Sequence, residues 1–348
     1  MAKNNNISAS LYRKAVRTIR DRWRLAGAPV VAAAAVATAC LLLLASCHHI
    51  PLYDGESGVY LKVTFNPDRQ TEEKIAAGKA SLPSGIMVIF YSSETHTYIT
   101  EDFLPANGGF IDVPVGTYDI LVHSLGNEST LIRDNSREGS ICAYTSTSGK
   151  SLTMTKSDID GNPISNIQFP IANQPDYLYV GRAEQVYIPP KADMSETLRI
   201  EIEVEPVVET WSFVAKNIEG AKNISKASCY VTGQIAEKYL WDLRHSDNIC
   251  AYPFNADYYE SQRCIAGEFQ TFGKHPQALS DIFLNILVQH AEGGMYQWIF
   301  NVTDQFTDPD NVEHKLIVTE KIVIPDTEAG GFTPSVNDWS SEITDIPL

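Results

Sequence analysis

Leu44-Ala45-Ser46-Cys47 sets a branched apolar residue, two small residues and a thiol in a row, directly after a long apolar run. That order is what a lipobox requires. Small side chains at Ala45 and Ser46 let the peptide bond before Cys47 enter a narrow protease pocket. The Cys47 thiol then takes a diacylglycerol as a thioether before cleavage. The flanks agree: Arg13, Lys14, Arg17, Arg20, Arg22 and Arg24 precede the run against one acid, Asp21, as in the basic region of a secretion signal. The apolar core, from about 26 to 45, is long enough to span a bilayer, so its end and not its length separates a removed signal from a retained span. Cys40 follows Ala37-Thr38-Ala39 and competes as the acceptor, but cleavage there leaves Leu41 to Leu44 exposed at the new N-terminus. The sequence therefore predicts a signal peptide over 1–46, a lipid on Cys47 and a short linker over 47–57.

No other residue set carries chemistry of comparable specificity. "TSGKS" (147–151) has the end of a phosphate-binding loop, but Tyr144 stands where the earlier glycine belongs and "LTMT" follows instead of a helix. Phosphate capture needs backbone N–H groups at a helix N-terminus, so this stretch reads as a serine-rich hairpin loop. "DIDG" (158–161) and "TDPDNVEH" (307–314) are acidic but lack the further ligands of a calcium loop; they read as solvated turns. G-x-S-x-G and H-E-x-x-H do not occur, and the eight histidines are scattered apart from His48-His49. The reading is a protein without enzymatic activity, cofactor or bound metal. Asn127, Asn223 and Asn301 sit in N-x-[ST] sequons and read as unmodified. Beyond Cys47 lie Cys142, Cys229, Cys250 and Cys264, none at metal-ligand spacing. For an exported chain, free buried thiols and a disulfide, foremost Cys250 with Cys264, both stay open.

Charge narrows the partners. Seven of the 27 basic residues and one of the 43 acidic residues precede Cys47, leaving 20 against 42, a net −22. Such a chain is repelled by nucleic acid and by anionic lipid faces. It needs a covalent anchor to remain on a membrane, and acyl chains supply one at about 0.8 kcal/mol per buried CH₂.

The elements that carry these residues are mostly strands. "GVYLKVTF" alternates Val59, Leu61, Val63 and Phe65 with polar neighbours, and "LRIEIEVE" alternates Leu198, Ile200, Ile202 and Val204 with charged ones, the period of half-buried strands. "GIMVIFY" (85–91) is apolar throughout and reads as an interior strand. Pro114-Val115-Gly116 divides a strand–turn–strand unit, and Gly293-Gly294 marks a hairpin. Only 71–80 and 235–244 read as helices. Pro206 cannot donate to a ladder, so Glu205-Pro206 is the expected boundary, crossed by few contacts, between domains over 58–205 and 206–326. A tail over 327–348 follows. The fold class is all-β, with two β-sandwiches in series.

The ordered series "PLYDGESGVYLKVTF", "VPVGTYDILVHS", "PDYLYVG", "GEFQTFG", "FNVTDQF" and "IPDTEAGGFTPSVNDW" resembles the fimbrillin-like lipoproteins of Bacteroidales, within the branch around fimbrial anchor subunits. The resemblance covers nearly the whole chain after Cys47. It implies two transthyretin-like β-sandwich domains, outer-membrane attachment and a part in cell-surface fimbriae as an anchor or accessory subunit. It also implies fibre partners joined by strand exchange. Arg69 is then a candidate cut site after the first strand, and Arg182 is not one. The apolar groups of the 327–348 tail make it a candidate donor strand for a neighbouring subunit. The rival is a monomeric lipoprotein that binds a glycan or peptide on Trp211, Trp241, Trp298 and "YPFNADYY" (252–259). If Cys47 carries the lipid, Cys47→Ala abolishes metabolic labelling with palmitate and releases the protein from the membrane fraction. Cys40→Ala does neither, and continued labelling of the Cys47 variant refutes the assignment.

Overall fold

The computed structural model describes residues 56–126, 128–157, 163–194, 196–274, 281–326, 333–335 and 339–343. The signal peptide, Cys40, Cys47 and "DIDG" lie outside the described residues. Alternating sequence up to residue 206 forms β1 (Glu56–Phe65), β2 (Gly85–Ser92), β3 (Tyr98–Pro105), β4 (Gly108–Pro114), β5 (Gly116–Ser124), β6 (Thr130–Arg133), β7 (Cys142–Thr145), β8 (Thr147–Ser157), β9 (Pro163–Ala172), β10 (Tyr179–Ile188) and β11 (Leu198–Pro206). Next come β12 (Glu209–Ala215), β13 (Ile218–Glu219), β14 (Ile224–Ile235), β15 (Glu237–Tyr239), β16 (Ile249–Tyr259), β17 (Cys264–Thr271), β18 (Phe283–His290), β19 (Met295–Asn301), β20 (Lys315–Val318), β21 (Ile322–Val323), β22 (Thr333–Ser335) and β23 (Trp339–Ile343). The all-β expectation holds. Among the described residues no helix is long and apolar enough to cross a membrane.

The first sheet has the order β3-β2-β5-β10-β11-β1-β4. β1 lies parallel to β11, with Val63 opposite Ile202, and antiparallel to β4, with Val59 opposite Ile111. Val59, Leu61 and Val63 share a core with Ile200, Ile202 and Val204, as their alternation predicts. β2 is apolar throughout because both of its faces are covered. Ile86, Val88 and Phe90 enter that core, while Ile89 and Tyr91 enter a second one. β3 and β4 are the two edge strands, yet only Ala106 and Asn107 separate them in sequence. The sheet is therefore rolled until its edges approach at that corner. Gly108 turns the corner at φ 91°, and a Cβ there would run into the Leu61 carbonyl, so glycine is required.

The second sheet contains β20-β12-β17-β16-β14-β18-β19-β22 and continues from β16 through β9 and β8 to β23. Its strands β18 and β19 are also buried on both faces. Cys229, Val231, Leu284, Ile286 and Trp298 fill one core. Phe283 and Ile299 turn the other way, against Leu152, Met154, Phe169 and Ile171 of the β8–β9 hairpin. That hairpin falls within the range expected for the first domain but pairs with the second sheet. A shared core also crosses Glu205-Pro206: Ile89, Tyr91, Leu121 and Leu178 pack with Val207, Val208, Ile235 and Phe272. The strand does end at Pro206, but contacts across it are not few.

Four local expectations need correction. The first helix, α1, is Arg69–Ala76, two residues earlier than 71–80, because the Asp68 carboxylate accepts from the Thr71 N–H at 2.8 Å and caps it. Residues 235–244 are not helical. Lys238 instead pairs with Ala143 of β7 and buries its ammonium against the Val207 and Phe272 carbonyls, so tertiary pairing overrides helix propensity. A short helix that periodicity missed, α2 (Thr303–Thr307), follows β19. "TSGKS" is strand with a register shift between Thr147 and Ser151, and Gly149 at φ 74° absorbs it.

The four described cysteines are free and buried. Cys264 sits opposite Tyr259 on β16, nine residues along that strand from Cys250. At about 3.3 Å per residue this is about 30 Å, far beyond the ~7 Å a disulfide allows between Cα atoms. Burial also pushes three of these thiols up, Cys250 to about 12, Cys142 to about 11 and Cys229 well above its usual value, which keeps those three protonated and inert.

The tail departs from the donor expectation as well. β22 pairs with β19, setting Tyr296 opposite Thr333, and β23 pairs with β8, setting Leu152 opposite Ile343. Two edges of the chain's own sheet are open there, and an intramolecular strand fills them at far lower entropic cost than a second molecule does. Pro334 sits on the edge strand β22, where its missing N–H breaks no ladder. Two measurements check these corrections. A thiol reagent should titrate four cysteines in denatured, lipidated protein and almost none in the native state below pH 9; a missing pair of thiols means a disulfide. Deleting 327–348 should lower the melting temperature by several degrees, and an unchanged value means that the tail contributes no stability to its own chain.

Candidate functional site: an assembly surface

If the chain is a fibre subunit, as the resemblance implies, it works through what holds its first strand, what leaves its sheet edges open and what its surface offers a partner. β1 begins at Glu56, nine residues after Cys47. It is locked on both sides by ladders that run from Val59 to Phe65 on β11 and from Glu56 to Lys62 on β4. Arg69, the candidate cut site, has an 85% exposed side chain but stands in the first turn of α1, with its Nε 3.1 Å from the Glu73 carboxylate. Cleavage there requires the capped turn to open into extended chain. Arg182 lies within β10 and donates to the Trp241 carbonyl.

The aromatic residues nominated as a ligand platform pack elsewhere. Trp211 is buried and stacks on Phe306 at 3.8 Å and His314 at 4.7 Å. Trp298 and Tyr252 are buried, and Trp241 packs half-buried against the shared core. Of "YPFNADYY", Tyr259 has an exposed ring. Two sequons serve local structure: the Asn301 side-chain Oδ1 accepts from the Thr303 N–H and hydroxyl at 3.0 and 2.6 Å, just ahead of α2, and the Asn223 side-chain amide donates to the Pro325 carbonyl at 2.7 Å. Asn127 lies outside the described residues.

Apart from Tyr259, the exposed aromatics among the described residues lie on the first sheet and went unnoticed in the sequence, where each reads as the outward half of an alternating strand. Phe110 on β4 is 69% exposed and meets the Tyr60 ring edge-on at 4.9 Å; Arg199 lies 5.5 Å from the same ring on the far side. Phe103, Ile99 and Tyr98 are exposed along edge strand β3. Between the halves, Lys74 of α1 reaches Glu268 of β17 at 2.8 Å beside a groove of about 320 Å³ that Gln174, Tyr177 and Thr210 also line. Burial opposes the Lys74 charge, but the Glu268 carboxylate and the Tyr177 hydroxyl outweigh it and raise its pKa. Open edges with apolar outward residues can accept a strand or an aromatic side chain from another subunit.

Comparison with known proteins agrees with this architecture. A fimbrium anchoring subunit of Bacteroides ovatus, provisionally named Fim4B, is 27% identical over 222 residues, 60% of this chain. The match spans 59% of that relative's length. A solved structure described provisionally as an adhesin, also from Bacteroides ovatus, is 20% identical with a TM-score of 0.56, covering 79% of this chain and 94% of that one. Its likeness is one of fold. The fimbrial anchor protein Mfa2 from Porphyromonas gingivalis, 12% identical over 71% of this chain and 83% of its own, has a TM-score of 0.44, too loose a match to bear on the argument. The relative and the shared fold bear out the resemblance read from motif order. A family model described as a domain of unknown function, DUF5119, matches residues 56–252, more than half of the 348 residues, and the chain belongs to that family.

Proposed function

We propose that this protein is a non-enzymatic subunit of a fimbria-like surface fibre, held in the outer membrane by a lipid on Cys47 and serving as the anchor or an accessory subunit. The observation that carries the reading is the match to a relative named as a fimbrium anchoring subunit. The fold supports it in two ways. β1 stays in the sheet with both ladders filled, as suits a subunit that is not activated by losing its first strand. The Cys47–Glu56 spacer is so short that it reaches no further than about 30 Å, which holds the first sheet close to the bilayer. The rival, a monomeric glycan or peptide binder, loses its main support because Trp211, Trp298 and Tyr252 are core residues.

Fibre subunits are the proposed partners, joined by strand exchange. The proposed site of exchange is the pair of edges that the tail's two strands close, from which an incoming strand must displace them. The test uses the native host. The wild-type protein, solubilised from membranes in detergent, should bring a fibre subunit with it. A strain carrying Cys47→Ala should shed fibres into the medium. Fibres that stay cell-bound in that strain, or a wild-type protein that purifies alone, would overturn the proposal.

A further inference from the structure

The loop between β6 and β7 folds back over the first sheet. A bridge between Thr97 and Arg137 and a bond from the Glu138 N–H to the His96 carbonyl at 3.3 Å fix it to the β2–β3 turn. His96 holds a left-handed conformation, φ 55°, in that turn, and its N–H donates to the Ser92 carbonyl at 2.7 Å. This folding brings together side chains from three separate elements. The His96 Nδ1 lies 2.7 Å from Glu138 Oε1 and 3.7 Å from Asp119 Oδ2. All three ligand atoms fall within 4.8 Å of one another.

Two features of the cluster point to an occupant. The Asp119 side chain, 5% exposed, is oriented from behind: its Oδ1 accepts from the Ser93 hydroxyl and from the Gln185 N–H, each at 2.8 Å. That leaves Oδ2 facing the imidazole. On the other side the Glu138 side chain is 12% exposed, and its Oε2 is buried without a hydrogen-bond partner. Two carboxylates are thus desolvated side by side, an arrangement that is unfavourable unless a positive charge lies between them. His96 is 57% exposed, so the cluster has an open side from which an ion and its waters can enter.

We infer that His96, Asp119 and Glu138 form a binding site for a divalent transition-metal cation, zinc in the first instance. One neutral imidazole and two carboxylates carry a charge of −2 that the ion cancels. The mixed nitrogen and oxygen donors suit zinc better than calcium, which takes six to eight oxygens. Bonds of about 2.1 Å in tetrahedral geometry place donor atoms about 3.4 Å apart, and the observed separations of 2.7 and 3.7 Å bracket that value. A water completes the shell on the exposed side. The ion ties the β2–β3 turn, β5 and the 138–140 turn into one unit, so its role is to lock the loop of 134–141 onto the first sheet.

The test is a zinc titration of the full, lipidated chain in detergent after treatment with a chelator. Calorimetry should show one zinc per chain at this site, with a rise of several degrees in melting temperature that calcium does not produce. X-ray absorption should show nitrogen and oxygen neighbours without sulfur. His96→Ala, at an exposed position, keeps the fold and should lose both the binding and the thermal shift. Glu138→Gln should do the same and lose at least tenfold in affinity. The inference is overturned if zinc leaves the wild-type melting temperature unchanged, if the His96→Ala protein binds and is stabilised equally, or if calcium stabilises as well as zinc. It is also overturned if Glu138→Gln stabilises the metal-free protein while the wild type binds no zinc, because a shared proton then fills the gap.

Discussion

The position of β1 constrains the rest of the first sheet. A strand that leads the chain must enter between β11 and β4, parallel to one and antiparallel to the other. Its inward residues Val59, Leu61 and Val63 are almost fully buried. At roughly 1.5–3 kcal/mol each, they contribute an amount comparable with the whole net stability of a typical domain, roughly 5–15 kcal/mol. Everything laid down later presupposes the strand. β4 needs its edge, β11 returns to lie along it, and Gly108 exists to let the corner pass over Leu61.

The second constraint is that several strands have no outward face. β2 and β5 divide their side chains between two cores, and so do β14, β18 and β19. A strand of this kind cannot end a domain, because its second face must be covered by something. In the first sheet the cover comes from β7, the 178–180 segment and residues that follow Pro206. In the second it comes from the β8–β9 hairpin. The two halves of the sequence are therefore interlocked: each lends the other the surface that closes its open side.

Local alternation made β1, β11 and the Gly293-Gly294 hairpin legible, because one face of each meets a core and the other meets water or a turn. What was not legible depended on distant chain. Nothing in "IAEKYLWDLR" announces that Lys238 will pair with Ala143, ninety-five residues earlier, and bury its ammonium under two carbonyls. The apolar groups of the tail signalled that it needs a surface, but not whose; pairing with β19 and β8 decided that. The His96, Asp119 and Glu138 cluster escaped for the same reason. Its members are separated by 23 and 19 residues with no motif spacing, and only the fold-back of the β6–β7 loop assembles them.

The topology also bears on how such a protein would carry load, given the proposed anchor at Cys47. Force from the membrane enters at the N-terminal end of β1. Part of the force from a partner attached to the second half enters the first sheet through the C-terminal end of β11, at Pro206, beside the paths through the shared core and the β8–β9 hairpin. β1 and β11 are parallel neighbours, so these forces pull them in opposite directions along their length. The ladder between them, from the Val59–Leu198 pair to the Phe65–Val204 pair, is then loaded in shear. All of its hydrogen bonds must fail together and cannot open one at a time from an end. An antiparallel pair joined by a hairpin, pulled from its two free ends, would instead unzip bond by bond. The parallel insertion of β1 beside β11 thus puts this ladder in shear, and not in unzipping, under a load of the kind the proposed anchor would transmit.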